Sequence, residues 1–246
     1  MDRVTLAIPP VGSYTAGMPK STVSRLVPKV PHVGSMTGSR RQQYSASTKR
    51  ALVEIAEGLF TEHGYANTSL DAIVAGARVT KGALYHHFSG KAALFEAVFE
   101  RVETDASKTI NKALKGKKDP WEKAQAGLRA FLGVVQEPRY RRIVIQEGPA
   151  VLGYERFREQ EERSTFATVI DIVRSVLGAG AWALDEAMLQ TFARIFFGAM
   201  SSAGESVATS EDPEQAAERV EAAIGFIIAG FQALADSGEA PDWVAE

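Results

Sequence analysis

The 246-residue chain contains no cysteine, which excludes a disulfide framework and any thiolate metal site and makes a reducing cytoplasm the expected compartment. Histidine is scarce, with four residues in all. His32 lies in a proline-rich stretch, His63 at a helix end, and His86 and His87 side by side. Adjacent side chains on a helix point about 100° apart, so the last two make a poor shared metal site, and neither metal nor cofactor is expected. No uninterrupted apolar run approaches the ~20 residues of a membrane span. The run from Val4 to Ile8 is cut by Pro9 and Pro10 before it resembles a signal core. A phosphate-binding glycine loop is also missing, which leaves an all-helical enzyme little with which to build a nucleophile or an acid–base pair.

Charge is nearly balanced, at a formal net −2, which argues against non-specific coating of nucleic acid. Its distribution is uneven. The first fifty residues carry Arg3, Lys20, Arg25, Lys29, Arg40, Arg41, Lys49 and Arg50 against the single acid Asp2, whereas the C-terminal half is rich in Asp and Glu. A basic end facing phosphate is the natural reading. Residues 1–45 show no sustained period and hold Pro9, Pro10, Pro19, Pro28 and Pro31 among many Gly, Ser and Thr, so they are expected to be a disordered basic extension. Arg40 and Arg41 read either as an arm that tracks the minor groove or backbone, or as part of a solvated tail.

What is present is concentrated in residues 48–99. Leu52, Ile55, Ala56, Leu59 and Phe60 form an apolar stripe at helical spacing that stops at Gly64. Ser69, an N-cap type, opens a short second helix through Leu70, Ile73, Val74 and Ala77, and a third opens at Thr80 only a few residues later. So tight a connection between two short helices is the helix-turn-helix pattern, in which the second helix of the pair enters the major groove. Free N–H groups and the positive end of the helix at Thr80 suit a phosphate, and Lys81 adds charge there. Gly82 and Ala83 are small enough for the backbone to approach base edges, and Ala83 suits a thymine methyl. Leu84 and Phe88 read as core.

The ordered set Ala56, Phe60, Gly64, Tyr65, Thr68, Ser69, Ile73, Ala77, Val79, Thr80, Gly82, Leu84, Tyr85, His87, Phe88, Lys91 and Leu94 resembles the TetR family of transcriptional regulators. The resemblance implies an all-α fold, with a three-helix DNA-binding domain over residues 46–92 and a larger helical effector-binding and dimerisation domain over 93–246. It implies backbone or base contacts from Thr68, Ser69, Tyr85 and His87, with His86 beside them, and a phosphate contact from Lys91. Its partners would be a double-stranded operator, a small-molecule effector and a second copy of the chain. The family usually has glycine after the position of Ala77, where this chain has Arg78. Since a non-glycine residue with positive φ is uncommon, Arg78 either tolerates a slightly different turn or reaches phosphate.

Beyond the reading unit, a long helix from about residue 90 to 114 links the two parts. Pro120 suits the first turn of a helix carrying Trp121, Ala124, Leu128, Phe131, Leu132 and Val135. A break is expected at Glu137-Pro138, a short helix over 143–147 stopped at Gly148-Pro149, and a longer one over 154–177. Two more follow over 185–209 and 213–235. These last two are apolar around most of their circumference, which predicts burial on nearly all sides. Packing against the same pair of a second copy, through Gly198, Ala199, Gly225, Ala229 and Gly230, would supply that burial, as would a single bundle within one chain. Candidate effector contacts among the middle helices are Phe131, Val135, Gln146, Phe166, Ile170, Phe192 and Phe196, mostly apolar with one polar group, as ligand pockets are. The expected function is a ligand-responsive repressor. The alternatives are a helical ligand-binding or interaction module without DNA binding and, with less to support it, an enzyme.

Overall fold

The structure, a computed structural model, describes residues 36–180, 182 and 184–238. Its described residues form helices and their connections. The first helix, α1, runs over Met36–Asn67 with a break at Gly64, whose φ of 78° and ψ of 168° leave the helical region. This corrects the expectation of an extension through residue 45, because α1 begins at Met36. Residues 36–49 contain no proline, and once joined to the stripe at Leu52 they continue a turn that is already nucleated. The rest of the expected extension, residues 1–35, lies outside the described residues.

Helix α2 spans Leu70–Gly76, α3 spans Lys81–His87 and α4 spans Lys91–Leu114. Their starts are fixed by side-chain caps. Ser69 Oγ accepts from Ala72 N–H at 3.1 Å and Thr80 Oγ1 from Ala83 N–H at 3.2 Å, each replacing one of the donors that a helix start leaves unsatisfied. The end of α2 is a Schellman motif: Arg78 N–H bonds the Ala75 carbonyl at 3.2 Å, and Val79 N–H the Val74 carbonyl at 3.1 Å. That motif requires a left-handed residue, and Arg78 supplies it with φ 54°.

Leu52, Ala56, Phe60, Ile73, Leu84, Phe88, Leu94 and Phe95 are all buried and hold α1, α2 and α3 against α4. Phe60 and Phe95 meet edge-on at 5.3 Å, and Tyr65 closes on Phe95 at 5.3 Å. The same apolar cluster continues without a gap through Val98, Phe99, Val102 and Ile110 into Leu128, Leu132 and Ile143. Described residues from Arg41 onward form one compact unit, so α4 is a wall shared by the reading unit and the bundle rather than a free linker.

In the bundle, α5 spans Pro120–Gln136, with Asp119 capping Glu122 N–H at 2.7 Å. A continuous path then runs through α6 (Pro138–Tyr140), a π-helical turn (Arg141–Glu147) and α7 (Gly148–Leu152). The expected stop at Gly148-Pro149 is therefore corrected. Pro149 falls in the first turn of α7, directly after the π turn. Next come α8 (Tyr154–Glu161), a second π-helical turn (Glu162–Phe166) and α9 (Ala167–Leu177), so the long helix expected here carries a bulge. The last two, α10 (Glu186–Thr209) and α11 (Pro213–Ser237), are capped by Asp185 and Asp212. By length and composition α11 passes the test for a membrane-crossing helix, with a window of mean hydropathy 1.3, yet it carries Glu214, Glu218, Arg219, Glu221 and Asp236 and packs on α5 and α10.

Candidate functional site

With Leu84 and Phe88 turned into the core, α3 leaves Lys81, Gly82, Tyr85 and His86 exposed, and Ala83 half-buried. Tyr85 retains 58% of its accessible surface. A Cβ added at Gly82 would meet nothing nearer than Thr80 Oγ1 at 3.8 Å. Glycine inside a helix costs roughly 0.5–1 kcal/mol relative to alanine, and nothing within the chain requires it at this position. Ser69, Asp71, Lys81, Tyr85 and Lys91 share one surface depression between α2, α3 and the start of α4.

Two of the expected contacts are bonded within the chain. Thr68 is 2% exposed, and its hydroxyl lies 2.8 Å from the Gly64 carbonyl and 3.2 Å from that of Leu59. Its side chain secures the end of α1 instead of facing a phosphate. Lys91 Nζ donates to the Tyr65 and Thr68 carbonyls at 2.6 and 2.8 Å and sits 4.3 Å from the Tyr65 ring centroid. It caps carbonyls at the end of α1, that of Tyr65 also accepting the Thr68 N–H at 3.3 Å, and a cation suits that end of a helix well. Lys81 pairs with Asp71 at 2.6 Å, both exposed, and that hydrogen bond holds the lysine above its ordinary pKa. Arg78 is exposed. His87 lies below its ordinary value through burial first, then through His86 and Lys49, which favours its neutral form. The His86 and His87 rings are 5.1 Å apart and edge-on. Arg40 and Arg41 lie on the first turns of α1, with side chains outside the described set.

The second site is a cavity of about 130 Å³ enclosed by α4, α5, the two π-turn segments, α9, α10 and α11. Of the expected contacts, Phe131 and Phe196 line it. The other five do not. Val135 is fully buried in the wall behind, packed toward Gly204. Gln146 is exposed, and its neighbour Ile145 faces the cavity instead. Phe166 stacks edge-on with Phe197 at 5.4 Å, and Phe192 packs on Phe231 at 6.1 Å. Ile170 lies one residue off the lining stripe of Thr165, Thr168, Val169, Ile172 and Val176, and one residue is about 100° of helix.

Sequence reasoning missed the cavity's polar end. Glu103, Tyr140, Glu161, Thr165 and Ser201 converge there. Tyr140 hydrogen-bonds the Glu103 carboxylate, which also accepts from Thr165 at 3.4 Å. Glu161 is reached by Arg158 and Ser201, each at 3.5 Å. Burial first and Glu103 second push the Glu161 carboxyl up to about 7. The same two causes push the Tyr140 phenol well above its ordinary range. A sequence signal existed: Glu103 is four residues after Phe99 and seven before Ile110, on the apolar stripe of α4.

Also missed was the joint between the two sites. Glu147, at the end of the first π turn, accepts the Tyr65 N–H at 3.0 and 2.8 Å, and Arg142 lies 3.3 Å from it. Arg139 pairs with Glu57 of α1 at 3.3 Å, and Arg101 of α4 meets the same carboxylate at 3.1 Å. Between those anchors, Tyr140 and Ile145 face the cavity. One short segment thus touches both sites.

The chain thus presents a capped helical unit with one exposed helix face, joined through a shared helix to an apolar cavity. Residues 52–98 match the family described as "Bacterial regulatory proteins, tetR family", and residues 121–231 match "Tetracyclin repressor-like, C-terminal domain". The chain belongs to the TetR family of transcriptional regulators. It is 32% identical over 118 residues to the Transposon Tn10 TetC protein of Escherichia coli, covering 47% of this chain and 58% of that one. With the HTH-type transcriptional regulator AcrR of Shigella flexneri it shares 35% over 66 residues, 27% of this chain and 31% of the relative. The match therefore spans little more than half of one relative and under a third of the other. A crystal structure of a TetR-family transcriptional regulator from Pectobacterium atrosepticum superposes with a TM-score of 0.68 at 28% identity, covering 77% of this chain and 96% of that one.

Proposed function

We propose that this chain is a cytoplasmic, ligand-responsive repressor that binds a pseudo-palindromic operator as a two-fold dimer and releases it when a small apolar or amphipathic molecule fills the cavity. The observation that carries the reading is the segment at residues 138–147, bonded to the break in α1 on one side and lining the cavity on the other. Ser69, Arg78, Thr80, Lys81, Gly82, Ala83, Tyr85, His86 and His87 are the proposed DNA surface. A ligand that favours one arrangement of this segment shifts the reading helices only by the difference in its affinity for the two states.

Dimerisation is assigned to α10 and α11. Ile195, Phe226 and Ile227 are exposed at 61, 79 and 45%, and a Cβ at Gly198, Gly225 or Gly230 would meet nothing within 4 Å. Large apolar side chains beside glycines that no internal contact requires suit close approach of an identical surface, the self-complementary arrangement of a two-fold dimer. Half-sites should then lie about one helical turn, ~34 Å, or a multiple apart. The decisive experiment is fluorescence anisotropy with DNA from the intergenic region beside the gene, followed by footprinting. Saturable, sequence-dependent binding with two protected half-sites is expected. Protection of one isolated half-site by a monomer overturns the dimer, and no sequence preference at moderate salt favours a ligand-binding module instead.

A further inference from the structure

We infer that the cavity selects a lipophilic organic cation, an aryl- or alkylammonium compound whose charged head is held between Glu103 and Glu161 while its tail lies against Phe131, Phe196, Phe197 and Phe231. The inference rests on the effector-pocket reading above and names its ligand class. Three observations carry it. The polar groups of an otherwise apolar cavity are gathered at one end, where both carboxylates sit beside the Tyr140 phenol and the Thr165 and Ser201 hydroxyls. Among the described residues no lysine or arginine lines the cavity; Arg158 pairs with Glu161 at 3.5 Å from outside that lining, so the lining itself offers an anionic head group two acids and an ammonium carboxylate acceptors. Finally, each π-helical turn carries a lining residue, Ile145 in one and Thr165 in the other. Such bulges are concentrated at functional sites, and here they lie at the residues flanking the acidic end.

The chemistry follows from burial. Two carboxylates in a weakly solvated space disfavour each other's charge, and the attraction of a cation between them relieves the repulsion and offsets part of the desolvation cost. The aromatic walls add to the preference, since ring faces attract ammonium groups. Glu161 faces Glu103 of α4, Tyr140 of α6, Arg158 of α8 and Ser201 of α10. Binding of a permanent positive charge there is therefore coupled to loss of the Glu161 proton, and affinity for the cation rises as pH rises toward 8.

The test uses three probes of one shape on the full chain by titration calorimetry: 4-phenylbutylamine, 4-phenylbutan-1-ol and 4-phenylbutanoate. At pH 8 the amine should bind at least tenfold more tightly than the alcohol, and the acid more weakly still. Lowering the pH to 6 should weaken the amine about tenfold and leave the alcohol within twofold. Glu161→Gln, which removes a buried charge and should fold, is expected to cost the amine about tenfold and flatten its pH dependence without affecting the alcohol. An alcohol or acid that binds as tightly as the amine, an amine indifferent to Glu161→Gln, or binding of none of the three overturns the cation assignment. Val169→Trp separates this from failure of the pocket itself. If the alcohol or acid is the better ligand and Val169→Trp abolishes it, the cavity is the site and only the class is wrong; if the amine binds Val169→Trp as well as the parent, the cavity is not the site and both readings fall.

Discussion

The reading unit and the cavity differ in how their polar groups are settled. Around α2 and α3, helix starts are capped, Lys91 takes up the carbonyls at the end of α1, and Thr68 ties the turn from within. The cavity is the opposite: its helices are interrupted by two π turns, and it holds two mutually unfavourable acids. A rigid element presents a fixed surface to DNA, whereas an element with unspent electrostatic and conformational cost is one that a ligand can change. The two regions nevertheless share α4 and one apolar cluster, and the sharpest way to break the contrast is to attack that shared wall. Phe95→Ala removes a fully buried ring that touches Phe60 and Tyr65. It should destabilise the protein by about 3–5 kcal/mol in a single unfolding transition followed by circular dichroism in urea. Two separated transitions would mean that the halves fold independently.

Next in size is the buried acid. A carboxyl whose folded pKa is about 7 against an ordinary 4.5 binds its proton more tightly when folded. Stability is therefore greatest below about pH 4.5 as far as this group is concerned, falls as pH rises from there to about 7, and is level above. The full effect is on the order of 3 kcal/mol. Glu161→Gln should remove that fall and raise the melting temperature at pH 8 while changing little at pH 4.5. A parent protein with no decline between pH 5 and 7, beyond that of the variant, would place Glu161 in a well-solvated setting and weaken the contrast between the two regions.

Much of this was legible in the sequence because it depends on local chemistry. The apolar stripe of α1, the Ser69 and Thr80 caps, and the tight connection between them fix the reading unit residue by residue, and the starts of α4, α5, α10 and α11 follow from Gly90, Pro120, Asp185 and Pro213. What was not legible depends on rotation and on distance along the chain. A π turn shifts every following side chain around the axis, so Phe166 and Ile170 fall beside the cavity while Thr165 and Val169 enter it. Lys91 looked like a phosphate ligand because only the folded chain brings it to the Tyr65 carbonyl, 26 positions earlier. The Glu147 bond to Tyr65, 82 positions apart, had no local signature at all.

Lys91 itself gives the third test. Lys91→Met keeps the stem and removes two charge-assisted hydrogen bonds, which are worth about 2 kcal/mol together once partial exposure is allowed for. Stability in urea should fall by that amount, while the salt dependence of operator binding, read on the folded fraction, should keep its slope. A slope lower by ~0.9 is instead the mark of a lost phosphate contact and would return Lys91 to the DNA surface.

The smallest effect concerns the one strained residue of the reading unit. Arg78 holds φ 54° in a turn where glycine is the unstrained choice, and a left-handed non-glycine residue costs roughly 1–2 kcal/mol. Arg78→Gly removes that cost but frees the unfolded chain, which offsets about 0.4–1 kcal/mol of it. A net stabilisation of about 0.5–1 kcal/mol is expected in urea unfolding. Operator binding measured against salt then divides the two readings of this position. If the exposed guanidinium reaches phosphate, the variant is more stable yet binds more weakly, with a slope lower by ~0.9, and strain in the turn is retained for contact with DNA. If affinity and slope are unchanged, Arg78 is simply tolerated in the turn and the proposed DNA surface ends at Thr80. A variant no more stable than the parent would mean that the turn does not hold Arg78 in the left-handed region, and that the reading unit carries no such strain to set against the cavity.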